Sequence, residues 1–256
     1  MKNRIATFAR FGALEAVRTR LPLVAAVVVF TVFGASYFVR EIAITESARF
    51  QTAFYAATIR YATVFLATLY VIASVSRELQ DKGLEVVLAL DVARAEYVLG
   101  RLAGFLCVAA AVAILAGLPL ILFTTAGAAT QWTISLAVEL AVVVALSVFC
   151  VITFNQVMSA ASFVIAFYLL ARAMTAIRLI SGNPVAGADS VSHEAMSWLV
   201  EAIAVVMPPL DRWTRTAWLV DEPGRWSDIA VIVGHGSVFI VALAAAAVFD
   251  LYRKNF

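Results

Sequence analysis

Four ionisable side chains stand inside stretches of sequence too apolar to hold a charge cheaply: Arg60, Glu139, Arg172 and His235. A charge at the centre of a bilayer costs on the order of 2.5–3.5 kcal/mol even on the lenient insertion scale. Such groups therefore face a bundle interior or a wet cavity, and they usually pair. At a rise of about 1.5 Å per residue, Glu139, Arg172 and His235 each lie about 10 Å in from the outer end of their apolar run. Arg60 is shallower, within about one turn of that end. Two readings follow. The four residues form a polar ring in the outer half of a translocation route, or Glu139 and Arg172 clamp adjacent antiparallel helices while Arg60 and Arg178 snorkel to the interface.

Other chemistries leave no trace. The chain has no GxxxxGK(S/T) phosphate loop, no HExxH, no CxxC and no nucleophile elbow. His193 and His235 are its only histidines, too far apart in sequence to suggest a metal site. Cys107 and Cys150 both fall in apolar runs and read as small buried hydrophobes. Nothing supports an enzyme. Gly234 and Gly236, flanking His235, form either a helix kink or a packing notch.

The elements that would position these groups are membrane spans. Of the 256 residues 63% are hydrophobic and 14% charged, well outside the soluble range, so the surplus apolar surface must face lipid. Apolar runs of spanning length cover residues 21–39, 56–76, 102–123, 133–154, 159–180 and 229–249. Pro22 is tolerable in the first turn of the first span. Residues 40–52 read as a polar outer connection and 124–131 as a short outer loop, with Trp132 an interfacial anchor. Asn155-Gln156 reads as a tight inner turn. The longest outer segment is 181–228, where Ser192 caps a helix to Val206 before Pro208-Pro209; Asp211, Trp213 and Trp218 suggest a second short helix at the interface. Residues 1–20 read as an amphipathic helix on the inner leaflet, with Ile5, Phe8, Ala9, Gly12, Ala13, Ala16 and Val17 on its apolar side. The alternative for this stretch is the start of a signal peptide.

Residues 77–101 are the one long charge-bearing segment between two spans. Leu84, Val87, Leu88 and Asp91 recur at helical spacing, and the apolar members want a protein partner that a solvated connector would not need. Basic residues fix its side. Lys2, Arg4, Arg10, Arg18, Arg20, Arg77, Lys82, Arg94, Arg101, Arg253 and Lys254 share a face of the membrane, against Arg40, Arg49, Arg212, Arg215 and Arg225 on the other. The first face is therefore cytoplasmic, with both termini inside. The net charge of +2 is too small and too scattered for nucleic acid.

This segment carries a family resemblance. Arg77-Glu78, Lys82-Gly83-Leu84-Glu85, Leu88, then Val92-Ala93-Arg94-Ala95-Glu96-Tyr97 and Gly100-Arg101 resemble the cytoplasmic loop of type 2 ABC transporter permeases. Asp91 stands where that family often has proline, and the threonine after the glycine is missing. The resemblance implies an all-α, six-span permease domain over residues 1–256 in a bacterial inner membrane. It implies an N-terminal interfacial helix, a coupling helix between spans two and three, and outer helices between spans five and six. It further implies separate ABC ATPase subunits holding ATP and magnesium, a second permease copy, and export or extraction of substrate. Arg77, Glu78, Gly83, Glu85, Arg94, Glu96, Tyr97, Gly100 and Arg101 would then serve coupling to the ATPase, and the outer segment could meet a periplasmic partner. The alternatives are an ion-coupled transporter using Glu139, Arg172 and His235 as a proton relay, and a membrane scaffold.

Overall fold

A computed structural model describes residues 2–80, 93–154, 156–182 and 191–253. Lipid offers no partner for a bare backbone amide, so apolar runs of this length close their hydrogen bonds internally, as helix. The described residues are helices and short connections, with no strand among them. In chain order the helices are α1 (Lys2–Arg18), α2 (Leu21–Ile42), α3 (Ser47–Gln80), α4 (Arg94–Gly117), α5 (Ala126–Phe154), α6 (Val157–Gly182), α7 (Val191–Val206), α8 (Ala217–Val220) and α9 (Trp226–Arg253). A 3₁₀ turn, Leu118–Leu122, extends α4, and another, Leu210–Arg212, follows α7. Six of these helices are long and apolar enough to cross a bilayer.

The central post is α5. Trp132, Leu136, Glu139 and Leu140 on it have no exposed surface, because α3, α4, α6 and α9 all pack against it. Helix α2 lies on α3 and α1 on α4. Apolar side chains elsewhere point outward, among them Phe30, Leu122, Ile180 and Val241, as a lipid-facing surface requires. Close approach is bought where side chains vanish. A Cβ on Gly104 would lie 2.8 Å from the Ala9 carbonyl oxygen and 3.4 Å from the Gly12 Cα, so α1 and α4 cross almost backbone to backbone. Gly117 against Thr133 and Gly236 against Val138 seat α4 and α9 on α5 in the same way.

Helix α1 and the last turns of α9 lie at one end of the bundle. There α1 meets the end of α3 and the start of α4 through ion pairs, and Arg94 donates to the carbonyl of Leu251 at 2.7 Å. We call this the terminal end; the opposite, distal end holds residues 208–220. Helix α1 is amphipathic as expected, with Gly12 and Ala16 buried and Arg10 and Arg18 exposed. It docks along α4, while Phe11, Leu14 and Val17 remain exposed.

Several boundaries differ from expectation. Helix α3 begins at Ser47, inside the stretch read as a polar connection, leaving only residues 43–46 between α2 and α3. Its first turns are polar, so hydropathy alone does not mark them. Helix α5 begins at Ala126, so most of the expected loop is helix, and Trp132 is a core residue rather than an interfacial anchor. Trp213 and Trp218 are likewise buried, because residues 208–220 fold back onto the bundle. Cys107 is exposed on α4; Cys150 is buried. Of the segment 77–101, residues 81–92 lie outside the described ones, and with them Leu84, Val87, Leu88 and Asp91.

Candidate functional site

Two buried polar clusters occupy the two ends of the bundle, and each is assembled around arginine. At the distal end Glu139 on α5 is fully buried. Tyr168 of α6 donates its hydroxyl to Glu139 Oε1 at 2.8 Å, and Arg172 Nη1, one turn further along α6, lies 3.5 Å from the same oxygen. The expected meeting of Glu139 with Arg172 is present, but the carboxylate is a minor partner for this guanidinium. Arg172 donates chiefly to main-chain carbonyls of the loop after α7: Leu210, Trp213 at 3.2 Å and Thr214 at 3.3 Å.

Thr214 is the hub of that loop and has no exposed surface. Its carbonyl also accepts from Arg60 Nη1 at 2.9 Å, its hydroxyl donates to Glu139 Oε2, and its amide donates to Ser135 Oγ at 2.8 Å. Its φ of 44° is left-handed, a conformation that costs a residue with a Cβ roughly 1–2 kcal/mol. Three helices thus hold one strained loop residue. Arg60 is 6% exposed, lies over the Tyr61 ring at 5.0 Å, and leaves its Nε without a hydrogen-bond partner. Arg60, Glu139 and Arg172 therefore converge, as a ring would require. His235 does not join them: it is exposed on α9, on a face turned from the bundle.

At the terminal end Arg101 of α4 is the hub, its side chain 3% exposed. Nη1 donates to Glu15 Oε2 of α1 at 2.8 Å, and Nη2 donates to Ser74 Oγ of α3 at 2.9 Å. Nη2 also lies 2.9 Å from Glu78 Oε2, an ion pair outside hydrogen-bond geometry. Ser74 Oγ donates in turn to Glu15 Oε1 at 2.6 Å, and the guanidinium covers the Phe105 ring at 4.8 Å. One cation therefore ties α1, α3 and α4 together.

The residues read as coupling candidates scatter about this hub. Tyr97, Glu96 and Gly100 are buried on α4 beside Arg101. Arg77 is exposed and donates back to the Ala73 carbonyl at 3.1 Å. Arg94 reaches the C-terminal carbonyls of α9, where a cation also opposes the helix dipole. Gly83 and Glu85 lie outside the described residues. Sequence reasoning missed Glu15, Ser74, Ser135, Tyr168 and Thr214. All but Glu15 and Thr214 carried a signal, since Ser74–Glu78, Ser135–Glu139 and Tyr168–Arg172 are each spaced i, i+4 on one helix face.

Apolar helices of spanning length, an apolar exterior and buried charges gathered at the two ends of the bundle define a multi-pass helical membrane protein. Among known proteins, no family model and no curated relative matches the chain.

Proposed function

We propose that this chain is the membrane-spanning permease subunit of an ATP-driven, type 2 ABC transporter, moving substrate outward or out of the bilayer. The observation that carries the reading is the brace that joins the helices on either side of residues 81–92 in the chain. The helices entering and leaving that segment are joined to each other and to α1 by Arg101, Glu78 and Glu15. A push on the segment from a partner would reach all three helices together, as a coupling element needs. The motif resemblance across residues 77–101, the six spans and the helix docked at their base support the same reading.

In this reading the terminal end is cytoplasmic, in a bacterial inner membrane. Separately encoded ATPase subunits supply ATP and magnesium, and a second permease copy completes the route. Glu85, from the motif, and Arg77, exposed near the end of α3, are the coupling probes, whereas Glu78 and Arg94 are tied to α4 and α9. The test is purification of the intact complex from its native host. A copurifying protein with a phosphate-binding loop is expected, and the chain alone should hydrolyse no ATP. Glu85→Lys should then uncouple hydrolysis from transport; full activity in a chain free of any ATPase would reject the reading.

A second reading keeps one observation in its favour. The fully buried carboxylate of Glu139 accepts from two hydroxyls, the arrangement an ion-coupled transporter would use for a proton. Substrate flux driven by a proton gradient without ATP would select it.

A further inference from the structure

The distal cluster has more positive charge than its carboxylate can answer. Two guanidinium groups, Arg60 and Arg172, meet one carboxylate, Glu139, and only Arg172 approaches it, at 3.5 Å. Among the described residues Arg60 has no ion pair, and its buried Nε has no hydrogen-bond partner. Apart from that one carboxylate contact, the acceptors on the two arginines are oxygens without charge: the carbonyls of Leu210, Trp213 and Thr214, with Thr214 O shared between both guanidinium groups at 2.9 and 3.3 Å. A buried cation held by neutral acceptors binds an anion more strongly than it binds them. Asp211, paired with Thr175, rides on the same loop and would leave with it.

We propose that Arg60 and Arg172 form a binding site for a phosphate-type oxyanion, and that residues 210–214 occupy it with their own carbonyl oxygens until the anion displaces them. Three carbonyl oxygens gathered on two guanidinium groups stand in for the three peripheral oxygens of a phosphate monoester. Glu139 sets the other half of the device. It holds the loop through the Thr214 hydroxyl, so the loop and the anion compete for one place. The anion belongs either to a lipid headgroup or to a soluble molecule. The site extends the translocation route of the proposed function, yet its test uses the chain alone, without ATPase or nucleotide. Each can therefore fail while the other stands.

The test is amide hydrogen exchange across residues 207–220 of the full chain in phosphatidylcholine nanodiscs. One arm adds phosphatidate to the discs; the other adds inorganic phosphate to plain discs. Saturable acceleration of exchange of at least tenfold is expected in one arm. Phosphatidate alone assigns the site to a headgroup, and a response to inorganic phosphate assigns it to a soluble oxyanion. Arg60→Gln and Arg172→Gln should abolish the response. Thr214→Val removes only the hydroxyl tie and leaves both guanidinium groups, so it should lower the half-saturating concentration about tenfold. A structural clamp would loosen in all three variants and answer neither probe. That result, or a response that survives Arg60→Gln, or an unchanged half-saturation in Thr214→Val, overturns the proposal.

Discussion

Arg101→Met should be the most damaging single substitution at the terminal end, and the reason can be worked from its contacts. The guanidinium contacts Glu15 at 2.8 Å and Glu78 at 2.9 Å, and the two acids expose only 24% and 20% of their side chains. Removing the cation strands both carboxylates in one pocket. Breaking a buried pair typically costs about 3–5 kcal/mol; the water still reaching both acids argues for the lower end, about 3 kcal/mol. Glu15→Gln or Glu78→Gln alone leaves Arg101 one anion, so each should cost about 1–2 kcal/mol. The double variant removes the second anion as well and leaves Arg101 only Ser74. Its loss should exceed the sum of the singles by about 0.5–3 kcal/mol, the usual range for residues in one network. Denaturant unfolding in mixed micelles gives the four free energies, and hydrogen exchange in α1 reports whether that helix undocks. Strict additivity, or a cost below about 1 kcal/mol for Arg101→Met, would show that Arg101 is not the hub.

At the distal end, Arg172→Gln should destabilise more than Glu139→Gln, by about 1 kcal/mol or more, since Arg172 holds three loop carbonyls and hydrogen bonds from charged donors contribute about 1.5–3 kcal/mol each. The double-mutant cycle between them should show coupling under about 1 kcal/mol, given their single 3.5 Å contact; a larger value makes the ion pair dominant. Gly104→Ala should cost about 1–3 kcal/mol by forcing its Cβ onto the Ala9 carbonyl, whereas Gly34→Ala, with nothing within 4 Å, should be neutral or stabilising by about 0.5–1 kcal/mol. Thermal unfolding of the two variants side by side separates packing from helix propensity, and equal shifts would contradict the close crossing of α1 and α4.

Composition and charge gaps made the spans legible, because a bilayer demands long uncharged runs and little else has them. Helix ends were not legible where the helix outruns its apolar stretch. The first turns of α3 carry Arg49, Gln51 and Thr52, polar residues that look like a loop until Gln51 and Thr52 are seen buried. Trp132 misled for a related reason: interfacial tryptophan is a statistical expectation, and here surrounding helices cover it. Glu139 and Arg172 stood out because charge in an apolar run is conspicuous, and their equal depth on neighbouring helices predicts the contact. Thr214 could not be found this way. It is an ordinary residue in a polar loop, 75 positions from the carboxylate it serves, and only the folding back of that loop gives it a role. Glu15 was hidden similarly, as the one acid in a stretch read for its basic charge.

Helix α3 supplies a member to both clusters, Arg60 at one end and Ser74 with Glu78 at the other. Arg60 and Glu78 stand roughly 27 Å apart along an unbroken helix at 1.5 Å per residue. A helix of that length behaves as a stiff rod, so it cannot tilt at one end alone. A tilt of only about 5° sweeps the far end by roughly 2 Å over such a lever arm, enough to carry a donor out of hydrogen-bond reach of its acceptor. A partner that tilted the base of α3 would therefore change how firmly Arg60 holds Thr214. By thermodynamic reciprocity, whatever loosens Thr214 changes the grip at the base by the same factor.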